Sequence, residues 1–274
     1  MKSNFVGKSD FLLAIDIGNT SISYGLFKSG ALIKRWYGNS YIIPKIDRFI
    51  NNSGGFNNNY KVIISSVNPN KYKKIVSSLV KRVRKADIYT IGTQINPKIN
   101  HKYIQINKLG KDRLVNLYGA NRLYRKPLLM INFGTATTFD YLSKSGIYEG
   151  GLIIPGIEIS FEALQEKAAL LPKVGNGRDR SLQSSPKNRL IGRNTKSCMV
   201  SGLLQGFGAM ADGLIDRFQS NFGGKFQVLA SGGLSGLIRP YVKSRMKVDQ
   251  THTLKSLALI YDHCISQKQN FKLG

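Results

Sequence analysis

The feature that most constrains this chain is a pattern that occurs twice. Near the start, FLLAIDIGNTSISYGLFKSGALIKRWY (11–37) reads as an apolar strand, a tight Asp-x-Gly-x-Thr turn and two more strands joined by the Ser29-Gly30 turn. In the middle, PLLMINFGTATTFDYLSKSGIYEGGLIIPG (127–156) repeats it, with a Gly-Thr turn after the first strand and a Ser145-Gly146 turn before the third. Each copy runs on into helical sequence, so each is a β-β-β-α unit. A duplicated unit of this kind implies an α/β chain with two facing lobes around a nucleotide cleft. The boundary falls before Pro127, giving lobes of residues 1–126 and 127–274.

Between the copies lie a polar loop (51–60), a buried strand (61–69), a basic segment (71–87), a strand (87–92) and a helix over 112–125. The basic segment has helical periodicity: Ile75, Val76, Leu79, Val80 and Val83 make an apolar face, while Lys73, Lys74, Lys81, Arg82, Arg84 and Lys85 are expected in solvent. After the second copy come a helix over 158–171 stopped by Pro172, a Gly/Ser/Arg-rich loop (174–189) and a long helix of small residues (195–219). A strand (225–233) then enters the Gly232-Gly233 turn.

Composition excludes several classes. No apolar run approaches the roughly 18 residues that span a bilayer, and FLLAI is too short for a signal-peptide core. Cys198, Cys264 and the three histidines lack metal or redox spacing, so neither a disulfide scaffold nor a zinc site is expected, and a reducing cytoplasm fits. The net charge of +26 creates a strong positive field. It attracts anions generally; the basic residues are spread along the chain, so any nucleic-acid binding is expected to be weak and non-specific.

Three junctions where an apolar strand meets a glycine turn carry the chemistry: IDIGNT (15–20), INFGTATT (131–138) and LASGG (229–233). Glycine lets backbone N–H groups approach phosphate oxygens, threonine adds a hydroxyl donor, and Asp16 is placed to hold magnesium beside the phosphates. Neither a Walker loop nor a G-x-G-x-x-G fingerprint is present.

The sequence resembles the type III pantothenate kinases, of the acetate and sugar kinase/Hsp70/actin superfamily. The resemblance is carried by IDIGNTSI (15–22), IISSVNP (63–69), LGKDRLVN (109–116), INFGTATTFD (131–140), YEGGLIIPG (148–156), ALLPKV (169–174), RNTKSCMVSG (193–202), SGG (231–233) and the closing leucine-rich helix (248–262). It implies two ribonuclease H-like, actin-like ATPase lobes and ATP-dependent phosphorylation of pantothenate, the first step toward coenzyme A. Asp16 would organise Mg2+ and phosphate, with Gly18, Asn19 and Thr20 in the same loop. Asp112 would be the general base. Tyr103, Gly110, Lys111 and Arg113 map to the pantothenate pocket, and Thr195 to a threonine that reaches the substrate from a partner subunit, which implies a homodimer. Gly134, Thr135 and Thr137 belong to the second phosphate motif, and Gly232 and Gly233 to the turn near the adenosine. The resemblance also implies a monovalent cation, K+ or NH4+, held by a carboxylate in the region of Asp140.

The chain departs from the family pattern at two points. The second phosphate motif begins with Asn132 where the family has Asp, which keeps an oxygen ligand and loses a charge. Ile106 replaces the proline usual before Leu-Gly. Three readings follow: an active pantothenate kinase that tolerates Asn132, a weakened relative acting as a regulatory or nucleic-acid-associated binding protein, and a related kinase with a changed substrate. The retention of Asp16, Asp112, Arg113 and Thr195 favours the first.

Overall fold

The computed structural model describes residues 11–38, 42–53, 60–168 and 190–270. The chain divides into two compact units, Met1–Ile99 with Ile104–Leu123 and Thr251–Gly274, and Asn100–Tyr103 with Tyr124–Gln250. Of the loop expected over 51–60, residues 51 and 52 belong to a helix and 54–59 lie outside the described residues, as do the loop expected over 174–189 and the end of the helix expected to stop at Pro172.

In the first unit β1 (Phe11–Ile17) is apolar on both faces and therefore central. It is flanked by β2 (Ile22–Lys28) and β4 (Lys61–Ser66), with β3 (Ala31–Tyr37) and β5 (Ile88–Thr90) outermost. The sheet runs β3-β2-β1-β4-β5; β1–β2 and β2–β3 pair antiparallel, β1–β4 and β4–β5 parallel. The expected hairpin turn is present, with Ser29 and Gly30 both at positive φ. α1 (Ile43–Asn52) and α2 (Pro69–Leu79) bury Ile43, Ile46, Ile50, Ile75 and Leu79 with Leu13, Ile15 and Ile17. The other face of β1, Leu12 and Ala14, packs with Val115 and Tyr118 of α3 (Lys111–Leu123).

The second unit repeats this plan. Its strands are β6 (Leu128–Phe133), β7 (Ala136–Leu142), β8 (Tyr148–Pro155), β9 (Gln227–Ser231) and β10 (Lys247–Val248), in the order β10-β9-β6-β7-β8. Pairing is again antiparallel on the β7 side and parallel on the β9 side. Read outward from the central strand, the two sheets have the same topology, so the duplication seen in sequence is a duplication of fold. α4 (Ile157–Lys167), α5 (Thr195–Phe222) and α6 (Ser235–Ile238) cover one face, placing Phe161, Leu204, Phe207, Ile215 and Ile238 in one core with Leu129, Ile131, Phe133 and Phe139. α5 is long and apolar enough to cross a membrane by length and composition. Its buried face, Met199 through Ile215, is built into this core.

Two expectations are corrected. The basic helix ends at Leu79 and not at residue 87; Arg82 turns back to donate to Ser78 O (2.7 Å) and pairs with Asp47, and Arg84 pairs with Asp87. Arg82 is thus half-buried and paired where a solvated side chain was expected, while Arg84 is solvated as expected and pairs at the surface.

The closing helix α7 (His252–Asn270) also packs with the first unit, not within a second lobe of residues 127–274. Its Leu254, Leu257, Ala258 and Ile260 share a core with Leu12, Ala14 and Val115, and His252 Nε2 lies 2.9 Å from the carbonyl oxygen of Asn116.

The contact between α3 and α7 depends on Gly119. A Cβ there would lie 1.8 Å from Ser256 Oγ and 2.5 Å from Ser256 Cβ. Gly119→Ala is expected to lower stability by about 1–3 kcal/mol, the usual cost of overpacking, and Ser256→Gly to restore part of it. Thermal or urea unfolding of the two single variants and the double variant checks this.

Candidate active site

Register decides which side chains share a face. Asp16 on β1 lies opposite Ser23 on β2 and Ser65 on β4, and Asn132 on β6 lies opposite Thr138 on β7 and Ser231 on β9. The duplication thus sets an acid in one unit and an amide in the other between two hydroxyl residues. Ser65 and Ser231 are buried, and their Oγ atoms find no hydrogen-bond partner among the described residues. Buried unpaired hydroxyls are uncommon, and two at one equivalent register point to groups that a ligand completes.

Burial pushes the Asp16 carboxyl up to about 7, and the charge of Asp112 adds to the rise. A carboxylate disfavoured in this way, beside an orphaned serine hydroxyl, is a donor set suited to a hydrated divalent cation.

The first glycine turn follows Asp16. Gly18 N–H donates to Ser21 O (2.9 Å), closing a tight turn that presents Asn19 and Thr20. Lys71, in the first turn of α2, bonds the carbonyls of both Gly18 (3.5 Å) and Asn19.

The second turn, after β6, is held differently. Gly156, between β8 and α4, donates its N–H to Thr135 O (3.1 Å), and a Cβ at this position would sit 2.2 Å from Thr135 O and 2.4 Å from Gly134 O. The third turn joins β9 to α6. Gly232, at φ +90°, comes so close to β6 that a Cβ would meet Phe133 O at 2.4 Å and Asn132 Oδ1 at 2.7 Å. Gly233 faces open space. Asn132, Gly134, Thr135 and Gly232 are therefore brought together. Thr137 is not on that face: strand alternation puts it in register with Phe133, its hydroxyl buried and unpaired.

Asp112 stands in the first turn of α3, and its carboxylate folds back over Gly110, where a Cβ would lie 2.6 Å from Asp112 Oδ1. Asp16 and Asp112, distant in sequence, are thus electrostatic neighbours in one unit. Arg113 is only 7% exposed. Lys111 lies over Gly92, its Cε 2.7 Å from where a Cβ would be.

In the second unit Tyr103 stacks on Tyr148 (5.7 Å between rings), and Tyr148 donates its hydroxyl to Asp140 Oδ1 (2.8 Å). Thr138 donates to Asp140 Oδ2 (3.2 Å). Asp140 is buried with both carboxylate oxygens engaged, which suits an anchor beneath Tyr148 and Tyr103. Thr195 is exposed at the start of α5, where Asn194 and Ser197 form a capping box.

Sequence reading missed Lys71, Ser65, Tyr148 and Gly156 as site residues. Gly156 had a signal, a Pro-Gly pair ending the third strand of the repeat. The others are recognisable only from register and side-chain contacts.

Residues 12–217 match the type III pantothenate kinase family. The type III pantothenate kinase of Moorella thermoacetica is 36% identical over 259 residues, covering 92% of this chain and 98% of that protein. That of Brevibacillus brevis is 35% identical, with the same coverage. The chain belongs to the type III pantothenate kinase family.

Solved structures extend the likeness to fold. The activator of the 2-hydroxyisocaproyl-CoA dehydratase from Clostridium difficile, solved with bound ADPNP, matches with a TM-score of 0.53 at 12% identity, covering 95% of this chain and 97% of that one. The ethanolamine utilization protein EutJ from Carboxydothermus hydrogenoformans gives 0.52 at 11% identity, covering 91% and 89%. The fold is that of the actin-like ATPases.

In this pantothenate kinase relative Gly156→Ala is expected to push the Gly134–Thr135 turn aside. Nucleotide affinity should fall at least about tenfold, or about 1.4 kcal/mol. Titration calorimetry with ADP, beside a thermal melt, separates that loss from unfolding.

Proposed function

We propose that the chain transfers the γ-phosphoryl group of ATP to the primary hydroxyl of pantothenate, giving 4'-phosphopantothenate, the first step of coenzyme A biosynthesis. The reading is carried by the family to which the chain belongs, together with Asp112 lying near enough to Asp16 for its charge to raise the pKa of that acid. Asp112 Oδ accepts the hydroxyl proton as the new O–P bond forms and the bond to the ADP leaving oxygen breaks. Arg113 is suited to the pantothenate carboxylate, and Tyr103, Gly110 and Lys111 complete the proposed substrate residues. The lean of Lys111 toward Gly92 makes it the weakest member of that set.

Asp16, with the hydroxyl of Ser65 nearby in register, is the proposed holder of Mg2+, which when bound neutralises charge on the phosphate oxygens. The glycine turns direct N–H groups at those oxygens, and Gly232 and Gly233 lie by the adenosine. A monovalent cation, K+ or NH4+, in the region of Asp140 is part of the proposal. Thr195 is proposed to act from a partner subunit in a homodimer. Its exposure supports this, as does that of Leu190 (69%) and Ile191 (75%) just before it. A reducing cytoplasm, suggested by the cysteine spacing, is part of the proposal. Nucleic acid enters only as a weak, salt-sensitive ligand of a basic chain.

The binding-protein alternative rests on Asn132 and on the basic surface of a chain with net charge +26. The Asn132 side chain keeps its place beside Gly134 and Gly232, with an oxygen turned toward Gly232. Purified wild type, given ATP, Mg2+, K+ and pantothenate, is expected to form phosphopantothenate. Asp112→Asn should lower kcat by about 10²- to 10⁴-fold, the range for a positioned general base. Asn132→Asp is expected to keep kcat within about tenfold of wild type. An inactive wild type that recovers in Asn132→Asp would instead support the binding-protein reading.

A further inference from the structure

We propose that Lys71 sets the first phosphate turn, so that its ammonium governs how tightly the chain holds a nucleoside polyphosphate. The inference rests on the reading that this turn receives the phosphates of ATP.

A peptide group is planar and trans, so the carbonyl of one residue and the N–H of the next point in opposite directions. The Lys71 ammonium bonds the carbonyl oxygens of Gly18 (3.5 Å) and Asn19. With those two carbonyls drawn to one side, the N–H groups of Asn19 and Thr20 are aimed at the other. A pair of successive N–H groups held in this way is an anion cradle. Lysine is thus on the back of the turn, shaping it, while the backbone makes the contact.

The second unit shows the same device built from other parts. Gly134 and Thr135 stand two and three residues after Asn132, as Gly18 and Asn19 stand after Asp16. There the Gly156 N–H holds Thr135 O at 3.1 Å, and Gly156 is packed against Gly134 O as well. One of the corresponding carbonyls, Thr135 O, is therefore held by a backbone N–H in the second unit, where a lysine side chain holds both in the first.

Lys71 is itself firmly placed. Its N–H is bonded to the Asn68 side chain (3.0 Å), which caps α2, so the root of the side chain does not wander. The helix cap, the lysine stem and the turn form one connected piece. The ammonium also adds a positive charge beside a loop that is to receive a polyanion. Lys71 is a positioning residue, acting through the turn.

The test uses the full chain with Lys71→Met and Lys71→Arg, titrated calorimetrically with Mg-ADP and with AMP, alongside thermal melts and initial rates. Lys71→Met is expected to weaken ADP by about tenfold or more and to raise KM for ATP similarly, while KM for pantothenate stays within about twofold. AMP, whose single phosphate draws less on the cradle, should lose less. Lys71→Arg, which still donates to both carbonyls, should retain most of the affinity. The melting temperature should move by less than about 2 °C in either variant.

Unchanged ADP affinity in Lys71→Met, or an equal rise in KM for both substrates, would overturn the proposal. A wild type that binds ADP, loses it in Lys71→Met and makes no phosphopantothenate would sink the substrate reading and leave Lys71 in place. Pantothenate turnover in both proteins, with identical ATP parameters, would do the reverse.

Discussion

A peptide plane cannot show its carbonyl and the following N–H to the same side, and the candidate site depends on that constraint. Phosphoryl transfer asks for donors fixed before the substrate arrives, because reorganising a loop during the reaction costs part of the stabilisation the donors supply. In each unit a group behind the glycine turn holds its carbonyls, those of Gly18 and Asn19 in the first and that of Thr135 in the second, which is what the proposed phosphate role requires. The central strands β1 and β6 bring the turns to the ends of the sheets. The segments after β4 and β8 then supply the holding groups, Lys71 and Gly156. The rest of each unit, with strands clamped between packed helices, keeps those groups in register.

The duplication is not symmetric in charge. Asp16 is a buried acid with a raised pKa, near a second acid, and so calls for a cation. Asn132 occupies the equivalent register without a charge, and its oxygen is turned toward Gly232. Nor do the hydroxyls beside them behave alike: Ser65 and Ser231 are both orphaned, whereas Thr138 is drawn to Asp140. Asp140 in turn fixes Tyr148, on which Tyr103 stacks. One unit thus concentrates negative charge to be neutralised, and the other spends its carboxylate on internal support.

The repeated strand-turn-strand pattern was legible in the sequence because each step had a local cause. Strand apolarity, the Ser29-Gly30 turn and the glycine after Asp16 are each short-range signals, and they predicted the succession of the first three strands in both units. The home of α7 was not legible, since periodicity shows that Leu254, Leu257 and Ala258 face a core without saying which one. The basic helix was overdrawn for a related reason: Val83 continues the apolar spacing past the real end of α2, and nothing local marks Leu79 as the last residue. Asp16, Asp112 and the glycines were readable from composition and from family resemblance together. Lys71 was hidden because a lysine in the first turn of a helix ordinarily points into water. Its role comes from a loop more than fifty residues earlier in the chain. Thr137 shows what a motif alone omits, since strand alternation sets it in register with Phe133 and not with Asn132.

The most direct measurement is of the N–H groups themselves. Amide resonances of Asn19, Thr20, Thr135 and Ala136 should be followed by NMR while Mg2+ and a non-hydrolysable ATP analogue are added to the intact protein. All four are expected to shift together, with a common affinity, as their protons meet phosphate oxygen. Saturable binding that leaves these four unshifted, while amides elsewhere respond, would contradict the assignment of the two turns as phosphate cradles.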